Sequence, residues 1–160
     1  MLVLIKSQKG FSLIESMISL VVISIGLLGI ASLQYTALTQ NSSSFWHSQA
    51  VLMAHDMSDR VRANMGEEDD YVGIDTSKAY ASSCIDVDCS PANLVPADAT
   101  EWKTLVETLP SGRGIIREPV AALVDIVVMW DDESTGATGT NCGSNPKVDL
   151  TCYTITISTP

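Results

Sequence analysis

At 160 residues the chain has room for one domain plus an anchoring segment. Nine Lys and Arg stand against nineteen Asp and Glu, a formal net charge of −10, so the long-range field repels phosphate backbones and disfavours a nucleic-acid partner. Apolar residues crowd toward the beginning of the chain, and the elements follow from there.

From Phe11 to Leu33 the sequence runs FSLIESMISLVVISIGLLGIASL, with Glu15 its one charged residue. That is about the length a helix needs to cross the hydrocarbon core of a bilayer. Lys6 and Lys9 precede it and orient that side toward the cytoplasm. A single-pass anchor is the plainest reading. A secretory signal peptide is a second, with Gly29-Ile30-Ala31 as a small-x-small cleavage site before Ser32. Glu15 argues against both, because a carboxylate costs a few kcal/mol inside a membrane segment and neither reading uses it. A third reading gives it work. If the chain is cut after Gly10, Phe11 becomes a free amino terminus four residues from Glu15, and stacked helices can be registered by Glu15 of one meeting the terminal amine of the next. In low dielectric such a pair is far stronger than in water.

Lys9-Gly10-Phe11-Ser12-Leu13-Ile14-Glu15 resembles the type III signal sequence of type IV prepilins and pseudopilins, K-G-F-[ST]-L-[IL]-E. The resemblance implies that a prepilin peptidase cuts after Gly10 and N-methylates Phe11, and that Glu15 is the assembly glutamate. It also implies a pilin-like α+β fold, in which a long N-terminal helix carries a head domain built on a small antiparallel sheet.

Beyond the anchor, Trp46, Ala50, Ala54, Met57 and Val61 recur at steps of three or four, one buried face of a continuing helix. His55, Asp56, Ser58, Asp59 and Arg60 fill its other sides. Asn41 to Ser44 and the glycines at 26 and 29 are places where this helix is expected to loosen or bend. Asn64-Met65-Gly66 reads as its stop. A helix from Phe11 to about Asn64 would be roughly 80 Å long, which a filament core needs and a small soluble domain does not. Two stretches resemble the PilV-type minor pilins in particular: Ser24-Ile25-Gly26-Leu27-Leu28-Gly29-Ile30-Ala31-Ser32-Leu33-Gln34, similar to S-I-G-L-L-G-x-A-x-L-Q, and His55 to Asn64, similar to a "D-R-[MV]-R-A-N" helix end.

The remainder reads as a head. Residues 67 to about 97 are rich in Asp, Ser, Ala, Gly and Pro and are expected to form a loop region tied by Cys84 and Cys89. Asp98-Ala99-Thr100-Glu101 has the form of a capping box ahead of a short helix with Trp102, Leu105, Val106 and Leu109 on its buried face, ended by Pro110-Ser111-Gly112. Strands are expected at Gly114 to Glu118, at Ala122 to Asp131 with Val124, Ile126, Val128 and Trp130 on one face, and at Leu150 to Ser158 with Tyr153, Ile155 and Ile157 alternating against Thr and Ser. A Gly/Thr/Asn-rich loop from Asp132 to Lys147 joins the last two. Four cysteines allow three pairings. The local ones, Cys84 with Cys89 and Cys142 with Cys152, are favoured because each pair is close along the chain, and an oxidising compartment follows. The C-x4-C and C-x9-C spacings, with no His near either pair, do not match zinc motifs.

No cofactor, metal or catalytic constellation is expected. His55 and Asp59 supply only two candidate ligands, and Glu67-Glu68-Asp69-Asp70 lacks the spaced oxygens and turn glycine of a calcium loop. Asp131, Asp132 and Glu133 read as a charged turn rather than paired catalytic carboxylates, and neither His47 nor His55 lies in a nucleophile motif. The chain is thus expected to divide into a leader at 1–10, a membrane and filament-core helix at 11–33, an amphipathic continuation at 34–66 and a head at 67–160. Its expected role is a structural minor pilin near the pilus tip that takes part in initiation. Partners are then the prepilin peptidase, other minor pilins, the major pilin and, before assembly, the inner membrane, with the head in the periplasm of a Gram-negative cell. A pseudopilin of a type II secretion system, or a membrane-tethered periplasmic binding domain, are the alternatives.

Overall fold

The computed structural model describes residues 10–81, 84, 89–143 and 145–159. The leader expected at 1–10, with Lys6 and Lys9, lies outside the described residues except for Gly10. The elements run α1 (Leu13–Ala63), α2 (Glu68–Tyr71), α3 (Pro91–Val106), β1 (Arg113–Val120), β2 (Leu123–Trp130) and β3 (Thr151–Ser158). The chain divides into two units that meet between Asn41 and Ser42.

The first unit is the opening part of α1. Its large apolar side chains from Leu13 to Leu33 are between 54 % and 79 % exposed, on every side of the helix. A helix that is apolar all round needs an apolar surrounding. Several of its hydroxyls are satisfied internally: Ser19 Oγ donates to the Glu15 carbonyl and Ser24 Oγ to that of Leu20, each at 2.7 Å, and Thr36 Oγ1 to that of Ser32 at 3.1 Å. This is how polar side chains are tolerated where no water is present. Gly26, Gly29 and the 41–44 stretch, expected to loosen the helix, are all helical within α1. Flanking good helix formers outweigh the modest intrinsic penalties at these positions.

In the second unit, α1 buries the stripe Ala50, Met53, Ala54, Met57 and Val61. The step from one to the next is that of a single helix face. Ser58, expected on the exposed side, is buried as well. The helix ends where expected, with Gly66 at φ +104°, a conformation only glycine adopts without strain.

The three strands form one antiparallel sheet in the order β1-β2-β3, so β2 is central. Its Val124, Ile126, Val128 and Trp130 join the core made by α1, by Val95, Ala99, Trp102 and Val106 of α3, and by Tyr71, Ile74, Leu109, Ile116 and Ile157. Trp102 Nε1 donates to the Met53 carbonyl at 3.0 Å, so the largest buried side chain also pairs its polar atom. The other face of β2 is covered too. Val127 and Met129 pack with Ala137 and Leu150, with Ile115 and Cys152 at the margin. The Asp132–Lys147 loop therefore folds back over the sheet. Gly139 bonds across to Val148 and Leu150 (2.7 and 2.8 Å), and the Cys142–Cys152 disulfide staples the loop to β3. The second disulfide joins Cys84 to Cys89.

The expected capping box needs correction. Asp98 and Glu101 lie inside α3, which begins seven residues earlier at Pro91, with Ser90 as its cap accepting from the Asn93 amide. Pro91 at the first helical position is preorganised for a helix start, while Pro96 within the helix removes one backbone donor. Leu105, expected on the buried face, is 38 % exposed, because the buried stripe runs Val95, Ala99, Trp102, Val106 instead. The region 67–97, expected as loop, contains α2 and the first turns of α3. The first strand is longer at both ends than Gly114 to Glu118.

Candidate functional site: the N-terminal segment and the helix-end knot

Gly10 and Phe11 precede the first helical turn, and Phe11 is 75 % exposed. The helix opens when the Ser12 carbonyl accepts from the amides of Glu15 and Ser16 at 3.0 and 3.2 Å. Glu15 stands in that first turn, where its charge opposes the partial positive charge of unpaired amides. Among the described residues no cation of the chain reaches it. The segment thus presents an accessible Gly10–Phe11 bond, a carboxylate one turn beyond it, and an apolar helix surface.

The "D-R-V-R-A-N" stretch has a structural task. Arg60 meets three carboxylates at once: Asp56 Oδ2 at 2.9 Å from Nε, and Asp98 Oδ1 and Glu101 Oε2 at 2.8 and 2.7 Å from Nη1. Burial opposes the charge of Arg60, yet these hydrogen bonds raise its pKa above the ordinary arginine value. Asn64 Nδ2 donates to the Pro91 carbonyl (2.8 Å) and to Tyr71 Oη (3.2 Å), and Tyr71 Oη donates to Asp98 Oδ2 at 2.6 Å. Burial, and then the Asp98 carboxylate, push the Tyr71 phenol up to about 12. One turn of α1 thereby fixes both α2 and α3. The sequence pattern puts Arg60 only on the sides of the helix away from its buried face. The signal that Arg60 is not merely solvated lay 38 residues away, at Asp98.

Elsewhere the charges are likewise structural. Arg113 Nε and Nη2 meet Asp75 Oδ1 and Oδ2 at 3.1 and 2.7 Å, clamping the 73–76 segment onto β1. Burial raises the Asp75 carboxyl, but Arg113 and Ser77 outweigh it and hold it at about 2. Asp131 is buried and accepts from the amides of Thr135 (3.0 Å) and Gly136 (2.7 Å); despite burial, these donors lower its pKa. Asp132 accepts from Trp130 Nε1 and Ser43 Oγ. The charged turn after β2 is therefore a capped turn. His47 packs edge-on against Trp130 and Tyr153, while His55 is exposed and Asp59 pairs with Arg62 at 3.8 Å. Among the described residues no three His, Cys, Asp or Glu side chains converge as a metal site requires.

Two family models match the chain. Residues 5–31 match the prokaryotic N-terminal methylation motif, and residues 32–100 match the model described as type IV pilin Tt1218. No curated protein and no solved structure matches significantly. The pilin family is structural rather than enzymatic, and its signal together with the apolar opening of α1 fits a membrane-anchored subunit that later enters a pilus. With that signal, that family match, and a long N-terminal helix packed against a three-stranded antiparallel sheet, the chain is a type IV pilin-like protein carrying a prepilin signal.

Proposed function

We propose that this chain is a minor pilin of the PilV type, processed by prepilin peptidase between Gly10 and Phe11, methylated on the Phe11 amine, and incorporated at or near the pilus tip during initiation. The observation that carries the processing is Glu15, one charge in the first turn of an otherwise apolar, outward-facing helix, directly after the exposed Gly10–Phe11 bond. Burying that carboxylate alone costs several kcal/mol, whereas pairing it with a neighbour's terminal amine offsets the cost. The minor-pilin assignment rests on the Ser24–Gln34 and Asp59–Asn64 resemblances, the second of which forms the knot that joins α1 to α3. Before assembly the helix sits in the inner membrane of a Gram-negative cell with the head in the periplasm. Its partners are the prepilin peptidase, other minor pilins and the major pilin.

Mass spectrometry of the mature amino terminus tests the reading. A chain beginning at N-methylated Phe11 is expected; one beginning at Ser32, or retaining Met1, would refute it. Glu15→Gln should leave membrane insertion intact and lower recovery of the subunit in sheared pili by tenfold or more, about the 1.4 kcal/mol that a partly desolvated ion pair easily supplies. Undiminished incorporation would remove the charge-registration mechanism.

A further inference from the structure

The two edges of the sheet differ in kind. The β1 edge is closed along its first half by the preceding segment: Gly73 and Thr76 donate to the carbonyls of Ile116 and Gly114, the Ile116 amide donates to Ile74, and Asp75 bridges Ile115. Its second half carries Arg117, Glu118 and Pro119, and its register with β2 shifts between Arg117 and Val120. Covering segments, charges, proline and irregular register are the devices by which proteins stop an edge from accepting a strand.

The β3 edge differs: among the described residues no segment is hydrogen-bonded along its outer side, although the Cys142–Cys152 disulfide ties a loop to it near its start. Its sequence, TCYTITIS, holds no charge, proline or glycine, and all eight residues pair with β2 in unbroken register from Leu123↔Ser158 to Trp130↔Thr151. No strand lies on its outer side among the described residues. Thr154, Thr156 and Ser158 are exposed on one face, while Tyr153 and Ile155 are only half-buried at the core margin on the other. Unpaired amides and carbonyls of a straight, β-prone strand are a template for another strand.

We infer that the outer edge of β3 receives an extended strand from a different protein, neutral or basic in charge, with apolar residues alternating with small polar ones. Main-chain hydrogen bonds would supply the affinity, and the alternating apolar residues would complete the cover over Tyr153 and Ile155. The charge preference follows from the acidic balance of the chain beyond the anchor. Lys6 and Lys9 precede Gly10 and Glu15 lies in the anchor, so the remaining seven basic and eighteen acidic residues all fall after Leu33. A second copy would bring the same acidic field to the edge and be repelled; a basic strand is attracted. This inference does not depend on processing at Gly10.

The test uses the full chain in detergent micelles and a synthetic peptide of alternating threonine and valine, capped by a lysine at each end and matched to β3 in length. Amide hydrogen exchange followed by NMR should show alternate β3 amides slowed about tenfold or more by the peptide, with β1 amides unchanged. A peptide N-methylated at alternate amides should give no protection, and Thr154→Lys, a charge of the kind that guards β1, should abolish the effect without altering the fold. Absence of protection, equal protection by the N-methylated peptide, or an unaffected Thr154→Lys variant would overturn the inference. So would sedimentation showing a dimer that Thr154→Lys disperses, because the occupant would then be a second copy.

Discussion

Arg60 makes the head's assembly measurable. In Arg60→Met the hydrophobic stem is kept and the charge removed, leaving Asp56, Asp98 and Glu101 facing one another without their shared cation. The three pairs do not count equally. The Asp56 and Glu101 side chains are 42 % and 67 % exposed, so water screens them and each pair is worth a few tenths of a kcal/mol. Asp98 is 17 % exposed and is left uncompensated, a case between the negligible surface pair and the 3–5 kcal/mol of a broken buried one. About 2 kcal/mol is therefore expected, a fall in Tm of roughly 8 °C for a head of this size. Trp102 and Trp130, both almost wholly buried, report the transition by fluorescence in urea or on heating. The double-mutant cycle with Asp98→Asn isolates the pair and should return a coupling energy of about 1–2 kcal/mol. A loss below about 0.5 kcal/mol, or strict additivity in the cycle, would show that the knot is surface decoration and not the tie between α1 and α3.

Three further perturbations read other parts of the head. Gly114→Ala places a methyl 2.5 Å from Trp102 Cη2, with the Gly114 amide already committed to Thr76 Oγ1; a loss of about 1–3 kcal/mol in urea unfolding is expected, and a neutral result would mean the Trp102 ring moves freely. Ala122, in the β1–β2 turn, sits at φ +64°, so Ala122→Gly should stabilise the head by about 0.5–1 kcal/mol, and destabilisation would count against strain there. The carboxyl of Asp75 lies near 2 in the folded chain, below the roughly 3.9 of an unfolded one, so its contribution is full above about pH 4 and lost as the pH falls toward 2. Asp75→Asn should remove about 1–2 kcal/mol of that acid dependence, the figure reduced because Arg113 is one-third exposed; matching acid-unfolding curves would refute the assignment.

Much of the architecture is legible because it is encoded by neighbours in the chain. Val124, Ile126, Val128 and Trp130 alternate and face the core as alternation requires, and the stripe from Ala50 to Val61 repeats at the helical period. The local cysteine pairs join as their short separations favour. The start of α3 at Pro91, capped by Ser90, is not the one that the acceptor–x–x–Glu form of Asp98–Glu101 indicates, which points to a later start. A local motif cannot reveal that Asp98 is held by Arg60 and Tyr71 from other elements. Nor does alternation reveal that β2 is buried on both faces, because its second face is covered by a loop whose own sequence has no period.

By itself, then, the sequence of this chain determined the apolar segment, the position of Glu15 one turn from Phe11, the run of strands and the turn signals, all of which depend on spacing within a few residues. Tertiary structure alone decided that Arg60, Asn64, Tyr71 and Asp98 form one knot, that Arg113 clamps Asp75 over β1, and that β1 is guarded while the outer side of β3 carries no strand among the described residues. These depend on which distant segments are brought together in burying the core, and that choice is a property of the whole packing rather than of any window of sequence.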